Sequence, residues 1–348
     1  MKIANREIGK GHKPYIIAEM SGNHNGDINR AIELIKAAKD AGADAVKLQT
    51  YTADTITIDH DSEEFMIRGG LWDGSRLYDL YEQAHTPWDW HKTLFEEAAK
   101  LGITIFSSPF DHTAVDFLEG LGAPAYKIAS FELIDLPLIR KVAATGKPMI
   151  MSTGNANLGE IEEAVLAARG AGAKDLILLH CTSGYPTPAD QANISTMAIM
   201  REAYDCEVGL SDHTMGVGVS VAAVALGACV IEKHFTLARA DGGPDSAFSL
   251  EKEELKLLVE SCTMAFDAIG KPNFVSTEVE AKTKVHRRSL YVVKDILKGE
   301  IFTHEHIRSI RPGNGILPKF LDEVLGAEAT EDLKFGTPLA FSHYLRNE

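Results

Sequence analysis

Cysteine is scarce in this chain: Cys181, Cys206, Cys229 and Cys262 are the only four in 348 residues. They lie far apart and none forms a C-x-x-C pair, so they read as reduced thiols rather than a disulfide framework. Cys229, inside the apolar run ALGACVIE, is expected in core packing. Long apolar runs are missing too. None reaches the ~18 residues of a membrane span. The N-terminal stretch MKIANREIGKGHKPYIIAEM has basic residues but no apolar segment ending in a cleavage site, so a cytoplasmic protein with no membrane partner is expected. Positive charge is in deficit: 35 Lys and Arg stand against 50 Asp and Glu, a net charge of -15. Such a surface repels phosphate backbones and anionic lipid, which argues against nucleic acid as a partner. A glycine-rich dinucleotide fingerprint is also lacking, because MSGNHNGD (20–27) does not fit G-x-G-x-x-G.

What is present is a rhythm. Short apolar runs alternate with amphipathic stretches from Tyr15 to about Gly270. The runs are YIIAE (15–19), AVKLQ (45–49), ITIFS (103–107), AYKIA (125–129), PMIMS (148–152), LILLH (176–180), EVGLS (207–211) and CVIEK (229–233). Each reads as a short buried strand. Helical patterns lie between them at 29–42, 112–122, 158–172 and 217–227, each ending near a glycine suited to a C-cap. Eight strands alternating with eight helices predict an α/β fold of the (β/α)8 TIM-barrel type over residues 1–270.

Two segments break the rhythm. Residues 51–91 exceed the ~2–6 residues of an ordinary βα loop and carry all three tryptophans, Trp72, Trp88 and Trp90. A long aromatic segment on the C-terminal face of a barrel predicts a substrate lid or wall, with a packing insert as the alternative. The polar stretch 271–284 reads as a linker, and 285–348 as a small β-rich domain. That domain has an internal echo, DILKGEIFTHEHI (295–307) against DLKFGTPLAFSHY (332–344).

Active sites of such barrels lie at the strand C-termini, and side chains alternate between lumen and helical layer. That alternation predicts a lumen-facing set of Glu19, Lys47 with Gln49, Ser107, Lys127, Ser152, His180 with Thr182, Ser211 with His213, and Glu232 with His234. So many buried polar groups are costly unless a ligand or each other satisfies them, so the ring reads as a binding site. Lys47 and Lys127 with the hydroxyls of Ser107 or Ser108, Ser130, Ser152 and Ser211 suit a phosphate and carboxylate, making the pocket locally basic. His213 and His234 end consecutive strands and suit a shared divalent metal with open positions; the alternative is two hydrogen-bonded barrel histidines. His24 and His180 are weaker ligand candidates, expected to make polar contacts. Glu19 is the carboxylate best placed to orient a substrate hydroxyl or act as general acid or base. Glu232 either joins it or pairs with a lysine. Asp245, in ADGGPDSAFS (240–249), binds a sugar hydroxyl or serves a turn.

The motifs AEMSGNHNGD, ADAVKLQTY, FSSPFD, YKIAS, STGN, HCTSGYPT, GLSDHT and EKHFT, in that order, resemble the sialic acid synthase family, and SIRPGNG (309–315) resembles that family's antifreeze-like (SAF, β-clip) C-terminal domain. The insert GLWDGSRLYDLYEQAHTPWDWH is most similar to the pseudaminic acid branch. The resemblance implies a metal-dependent transferase that condenses phosphoenolpyruvate with a 2,4-diacetamido-2,4,6-trideoxy-altrose, with manganese, magnesium or cobalt as the ion. It implies that Lys47, Ser108, Lys127, Ser130, Ser152 and Ser211 hold phosphoenolpyruvate, that His213 and His234 bind the metal, and that Glu19, Gln49, Tyr185 and Asp245 face the sugar. Ser183 stands where some relatives have asparagine. The resemblance further implies a domain-swapped homodimer in which Arg311 reaches the partner's sugar site. Its product would be activated by a nucleotide and transferred to flagellin or a surface glycan. The competing readings are legionaminic or N-acetylneuraminic acid synthesis, a heptulosonate- or octulosonate-type synthase, and a non-catalytic carbohydrate-binding barrel.

Overall fold

A computed structural model of the protein describes residues 1–345. The chain divides into two compact units, Met1–Gly270 and Lys271–Glu348.

The first unit opens with a small hairpin, β1 (Lys2–Ile3) and β2 (Arg6–Glu7). Eight parallel strands follow: β3 (Tyr15–Glu19), β4 (Ala45–Thr50), β5 (Thr104–Pro109), β6 (Tyr126–Ile128), β7 (Met149–Ser152), β8 (Leu176–Cys181), β9 (Glu207–Ser211) and β10 (Val230–His234). Each pairs with its chain neighbours, and β10 pairs back onto β3 to close the barrel. The expected TIM barrel is therefore the observed fold. Its helices begin and end as the local chemistry dictates. Ile28–Asp40 starts at Asp27, whose carboxylate accepts from Asn29 N, and Leu158–Gly170 starts with a capping box between Asn157 and Glu160.

Two apolar layers hold the barrel. Between strands and helices lie side chains such as Ile16, Leu48, Leu118, Met151, Leu178 and Leu258. Inside the lumen, Tyr15, Ile17, Phe106, Ile150, Ile177, Leu179 and Val230 fill the lower part, and Ile3 and Ile8 beside the hairpin join them from below. A strand with apolar neighbours on both faces cannot alternate polar with apolar residues. This low plug leaves the upper lumen to polar groups.

The insert between β4 and the next barrel helix contains two short helices, Ala53–Ile56 and Leu77–Ala84. Trp88 and Trp90 do not belong to a lid. They open the barrel helix Trp88–Leu101, where Trp88 stacks on Phe117 at 4.7 Å and Trp90 packs against the core beside His24. For those two the packing alternative holds.

In the second unit, the segment 271–284, expected as a linker, carries a helix, Glu278–Thr283, with Thr277 and Glu280 forming its capping box. Antiparallel strands β11 (Ser289–Val292) and β12 (Ile307–Ile310) come next. The internal echo is a reciprocal pairing. Ile296 bridges Leu333, Lys298 N donates to Asp332, and Phe335 N donates to Asp295. Leu290, Val292, Ile296, Phe302, Val324 and Leu333 form this unit's own core.

Candidate active site

The strand register brings the polar ends together. Glu19 lies opposite His234 on one side and Lys47 on the other, and Gln49 lies opposite Ser108. Across the lumen these residues form one network. Lys47 Nζ is 2.6 Å from Glu19 Oε2 and donates to Ser108 Oγ at 3.3 Å. Gln49 donates to the other Glu19 oxygen at 2.9 Å and to Ser21 at 3.1 Å. Lys127 and Ser211 both donate to Glu232 Oε1, at 3.0 and 3.1 Å. Ser21 in turn donates to Asp245, whose carboxylate sits 3.8 Å from His234 Nδ1.

The lysine partner held open for Glu232 is present, and the two lysines are not free cations. Each is already paired: Lys47 with Glu19, Lys127 with Glu232. Burial shapes the charges. It pushes Glu19 up, with help from Glu232 and opposition from Lys47. It would raise Glu232 too, but Lys127 and Lys47 outweigh it and hold that carboxylate below its usual range. Lys127 is lowered by burial more than Glu232 can restore, whereas Lys47, set between Glu19 and Glu232, is held above its usual value despite burial. Asp245 is raised, again by burial first.

Beside this network lies a hydroxyl cradle. Ser152 Oγ and Ser183 Oγ are buried without a hydrogen-bond partner. Ser130 Oγ accepts from Gly154 N at 3.1 Å. A Cβ on Gly154 would overlap the hydroxyls of Ser183 and Ser130 and force them to turn, so glycine keeps both aimed into the cradle. Unspent donors at this density, next to two ammonium groups, suit an oxyanion.

The histidine pair stands at the cradle's edge. His213 and His234 have ring centroids 5.4 Å apart. His213 Nδ1 is engaged with the Thr182 carbonyl at 3.0 Å, which leaves Nε2 for another partner. His234 Nδ1 is buried and has no hydrogen-bond partner. Burial, then His213 and the lysines, keep His234 neutral, well below the ordinary imidazole value. An unpartnered neutral imidazole beside a second one fits a divalent cation. No cluster of three or more His, Cys, Asp or Glu ligands occurs among the described residues, so water or substrate would complete the shell. Tyr185 packs on His213 at 4.4 Å, and Phe248 on His234 at 4.9 Å.

Three sequence expectations need correction. Ser107 turns away from the lumen, to Thr50 Oγ1 at 2.6 Å, and Ser108 takes its place. His180 also points outward, to the Ala192 carbonyl at 2.7 Å, and Thr182 reaches Gln191 O rather than the ring. Cys181 fills that strand's lumen position instead, with Sγ 3.8 Å from His213 Nδ1. Burial opposes ionisation of both, but their mutual contact outweighs it, drawing the thiol down and the imidazole up. His24 makes the expected polar contacts, accepting from Gly26 N and meeting Thr86. The sequence reading gave no role to Ser21, Cys181 or Glu132, although Ser21 and Cys181 lie inside quoted motifs. Glu132, two residues beyond Ser130, has a buried oxygen without a partner, and burial pushes its carboxyl up to about 7. Arg311 is exposed in the second unit, just after β12.

Residues 34–273 match the model of the NeuB family, and residues 287–345 match the SAF domain. The chain belongs to the NeuB family. The pseudaminic acid synthase of Campylobacter jejuni is 46% identical over 99% of this chain and 100% of its own length. The N,N'-diacetyllegionaminic acid synthase of the same species is 43% identical, over 92% of this chain and 97% of its own. Among solved structures, the N-acetylneuraminic acid synthetase of Leptospira borgpetersenii superposes with a TM-score of 0.73 at 31% identity, covering 81% of this chain and 94% of that one. The cradle and histidine pair of this NeuB barrel are built from FSSPFD, YKIAS, STGN, HCTSGYPT, GLSDHT and EKHFT.

Proposed function

We propose that this chain is a pseudaminic acid synthase, condensing phosphoenolpyruvate with 2,4-diacetamido-2,4,6-trideoxy-L-altrose to give pseudaminic acid and phosphate. The observation that carries the reading is the buried oxyanion cradle, with Lys47, Lys127 and the unpartnered Ser152 and Ser183 hydroxyls, joined to the His213–His234 pair through Thr182, whose carbonyl meets His213. Similarity to pseudaminic acid synthases over nearly the whole chain supports the choice of sugar.

Phosphoenolpyruvate carries a phosphate and a carboxylate. Lys47 and Lys127 would turn from Glu19 and Glu232 toward that charge, and the hydroxyls of Ser108, Ser130, Ser152 and, released from Glu232, Ser211 would line it. C3 of phosphoenolpyruvate bonds to the aldehyde carbon of the open-chain sugar while the aldehyde oxygen takes a proton. Water adds at C2. The C2–O bond to phosphate then breaks, leaving a nine-carbon 2-keto acid. His213 and His234 would hold a divalent ion, manganese, magnesium or cobalt. Bound there, the ion supplies Lewis acidity toward the aldehyde oxygen. Glu19, Gln49, Tyr185 and Asp245 would meet the sugar, with Glu19 kept in place by Gln49.

Arg311 enters this scheme through a second copy of the chain. In a domain-swapped homodimer, the SAF domain of one protomer would bring Arg311 to the other's sugar site. We place the protein in the cytoplasm, where four free thiols suit the reducing environment. Among the described residues no helix is long and apolar enough to cross a membrane. The product would go on to nucleotide activation and transfer to flagellin or a surface glycan.

The deciding experiment measures phosphate release from phosphoenolpyruvate and manganese with three sugars in parallel: the trideoxy-diacetamido altrose, the diacetamido-trideoxy mannose and N-acetylmannosamine. Turnover with the altrose above the others is expected. Preference for another sugar would refute the pseudaminic assignment.

A further inference from the structure

Of the three tryptophans in the insert region, Trp72 has a different fate from the other two. It sits on a hairpin in which Ile67 N donates to Ser75 O at 2.8 Å, Gly74 N to Ile67 O at 2.9 Å and Ser75 N to Trp72 O at 3.0 Å. Arg76 clamps the base of that hairpin to Asp59, Asp61 and Asp79. From there the indole reaches the barrel mouth. Its ring lies 5.8 Å from that of Tyr185, and its Nε1–H donates to Pro244 O at 3.0 Å. Tyr185 lies 4.4 Å from His213, 6.3 Å from His234 and 5.3 Å from Phe248, ring centre to ring centre. An aromatic row therefore leads from the histidine pair outward, and Trp72 is its outer member.

We propose that Trp72 is a specificity-determining residue, the apolar wall that receives the C6 methyl end of a 6-deoxy amino sugar. The inference rests on the proposed synthase reading, which puts the aldehyde carbon at the histidine pair. The row steps 4.4 Å from His213 to Tyr185 and 5.8 Å from Tyr185 to Trp72, so a six-carbon chain running along it from the histidines would bring its far end toward Trp72. The indole's single donor is already spent on Pro244, so this wall offers a 6-hydroxyl nothing to bond. A methyl group loses nothing there and gains apolar contact. An apolar wall rejects an added hydroxyl only modestly, by about 100-fold at most. Pro244 also precedes Asp245, so the same indole steadies the loop that carries a sugar-facing carboxylate.

The test compares wild type, Trp72→Ala and Trp72→Phe by kcat and KM for the trideoxy-diacetamido altrose and its manno counterpart, each with and without a 6-hydroxyl, and for N-acetylmannosamine. Circular dichroism establishes that the variants are folded. Trp72→Ala should lower the 6-deoxy to 6-hydroxy ratio of kcat/KM by about 10-fold or more, within the range open to an apolar wall. The change should lie in the sugar KM, with the phosphoenolpyruvate KM unmoved. Trp72→Phe, which keeps a ring but loses the N–H, should retain most of the preference. An unchanged ratio in Trp72→Ala overturns the proposal. So does an equal fall in both variants, which would make the tether to Pro244 the whole effect. Wild type that uses the manno sugar alone refutes the altrose assignment yet leaves the Trp72 ratio as a valid test. Wild type that prefers N-acetylmannosamine sinks both.

Discussion

Lys127 and Glu232 meet at 3.0 Å across the lumen, joining β6 to β10, strands on opposite sides of the closed barrel. The pair lies buried in the polar network of the upper lumen. Ser211 and, at 3.9 Å, Lys47 converge on the same carboxylate oxygen.

Removing Glu232 therefore leaves the buried Lys127 ammonium without its counter-charge, while Lys47 keeps Glu19. Glu232→Gln should cost stability, on the order of 3 kcal/mol, as expected when one partner of a buried ion pair is lost. Urea denaturation checks this. Inorganic phosphate should restore part of the loss, because an anion binding the native state replaces the missing charge. A variant as stable as wild type, with no phosphate effect, would remove Glu232 from the charge balance.

Glu132 gives a pH prediction. Its folded value, about 7, lies above the ordinary 4.5. The neutral form is the one the fold favours, so its stabilising effect is full below pH 4.5 and is lost as pH rises through about 7. Glu132→Gln, neutral at all pH, should be more stable than wild type at pH 8 by an amount on the order of 3 kcal/mol. The gap should close toward pH 4.5. A pH-independent difference between the two proteins would contradict the assignment.

The histidine pair predicts a loss of rate without a loss of fold. His213→Ala or His234→Ala should lower kcat by roughly 100-fold or more, the scale of several kcal/mol of Lewis-acid stabilisation. Near-wild-type circular dichroism should accompany it. Wild-type enzyme stripped by a chelator should fall likewise and recover with manganese. Full activity after exhaustive chelation would rule the ion out.

Arg311 predicts complementation. Arg311→Ala should raise the sugar KM while leaving that of phosphoenolpyruvate unchanged. At a sugar concentration well below the raised KM, mixing Arg311→Ala with His234→Ala chains should restore turnover in a swapped dimer, since one barrel then has intact histidines and a partner's intact arginine. Absence of any restoration, with mixed dimers demonstrated, would exclude the exchange.

The sequence by itself determined the architecture. Eight short apolar runs with glycine-ended helices between them leave few arrangements other than a closed parallel barrel, because each apolar run must be covered on both faces. It also determined which residues end the strands: Glu19, Lys47, Lys127, Ser152, Ser211 and His234 all occupy the mouth. Tertiary structure decided the rest. LILLHC and TIFSSP are apolar or buried on both faces, so alternation had no polar face to betray which parity points inward. Packing turned His180 and Ser107 outward and put Cys181 and Ser108 inside. Composition could not say that Trp88 and Trp90 pack half-buried on a barrel helix while Trp72 reaches Tyr185, since all three share one aromatic segment. Nor could it say that Lys47 arrives paired with Glu19, although the sequence held open a lysine partner for Glu232. Those outcomes depend on contacts between residues far apart in the chain, and such contacts exist only once the barrel has closed.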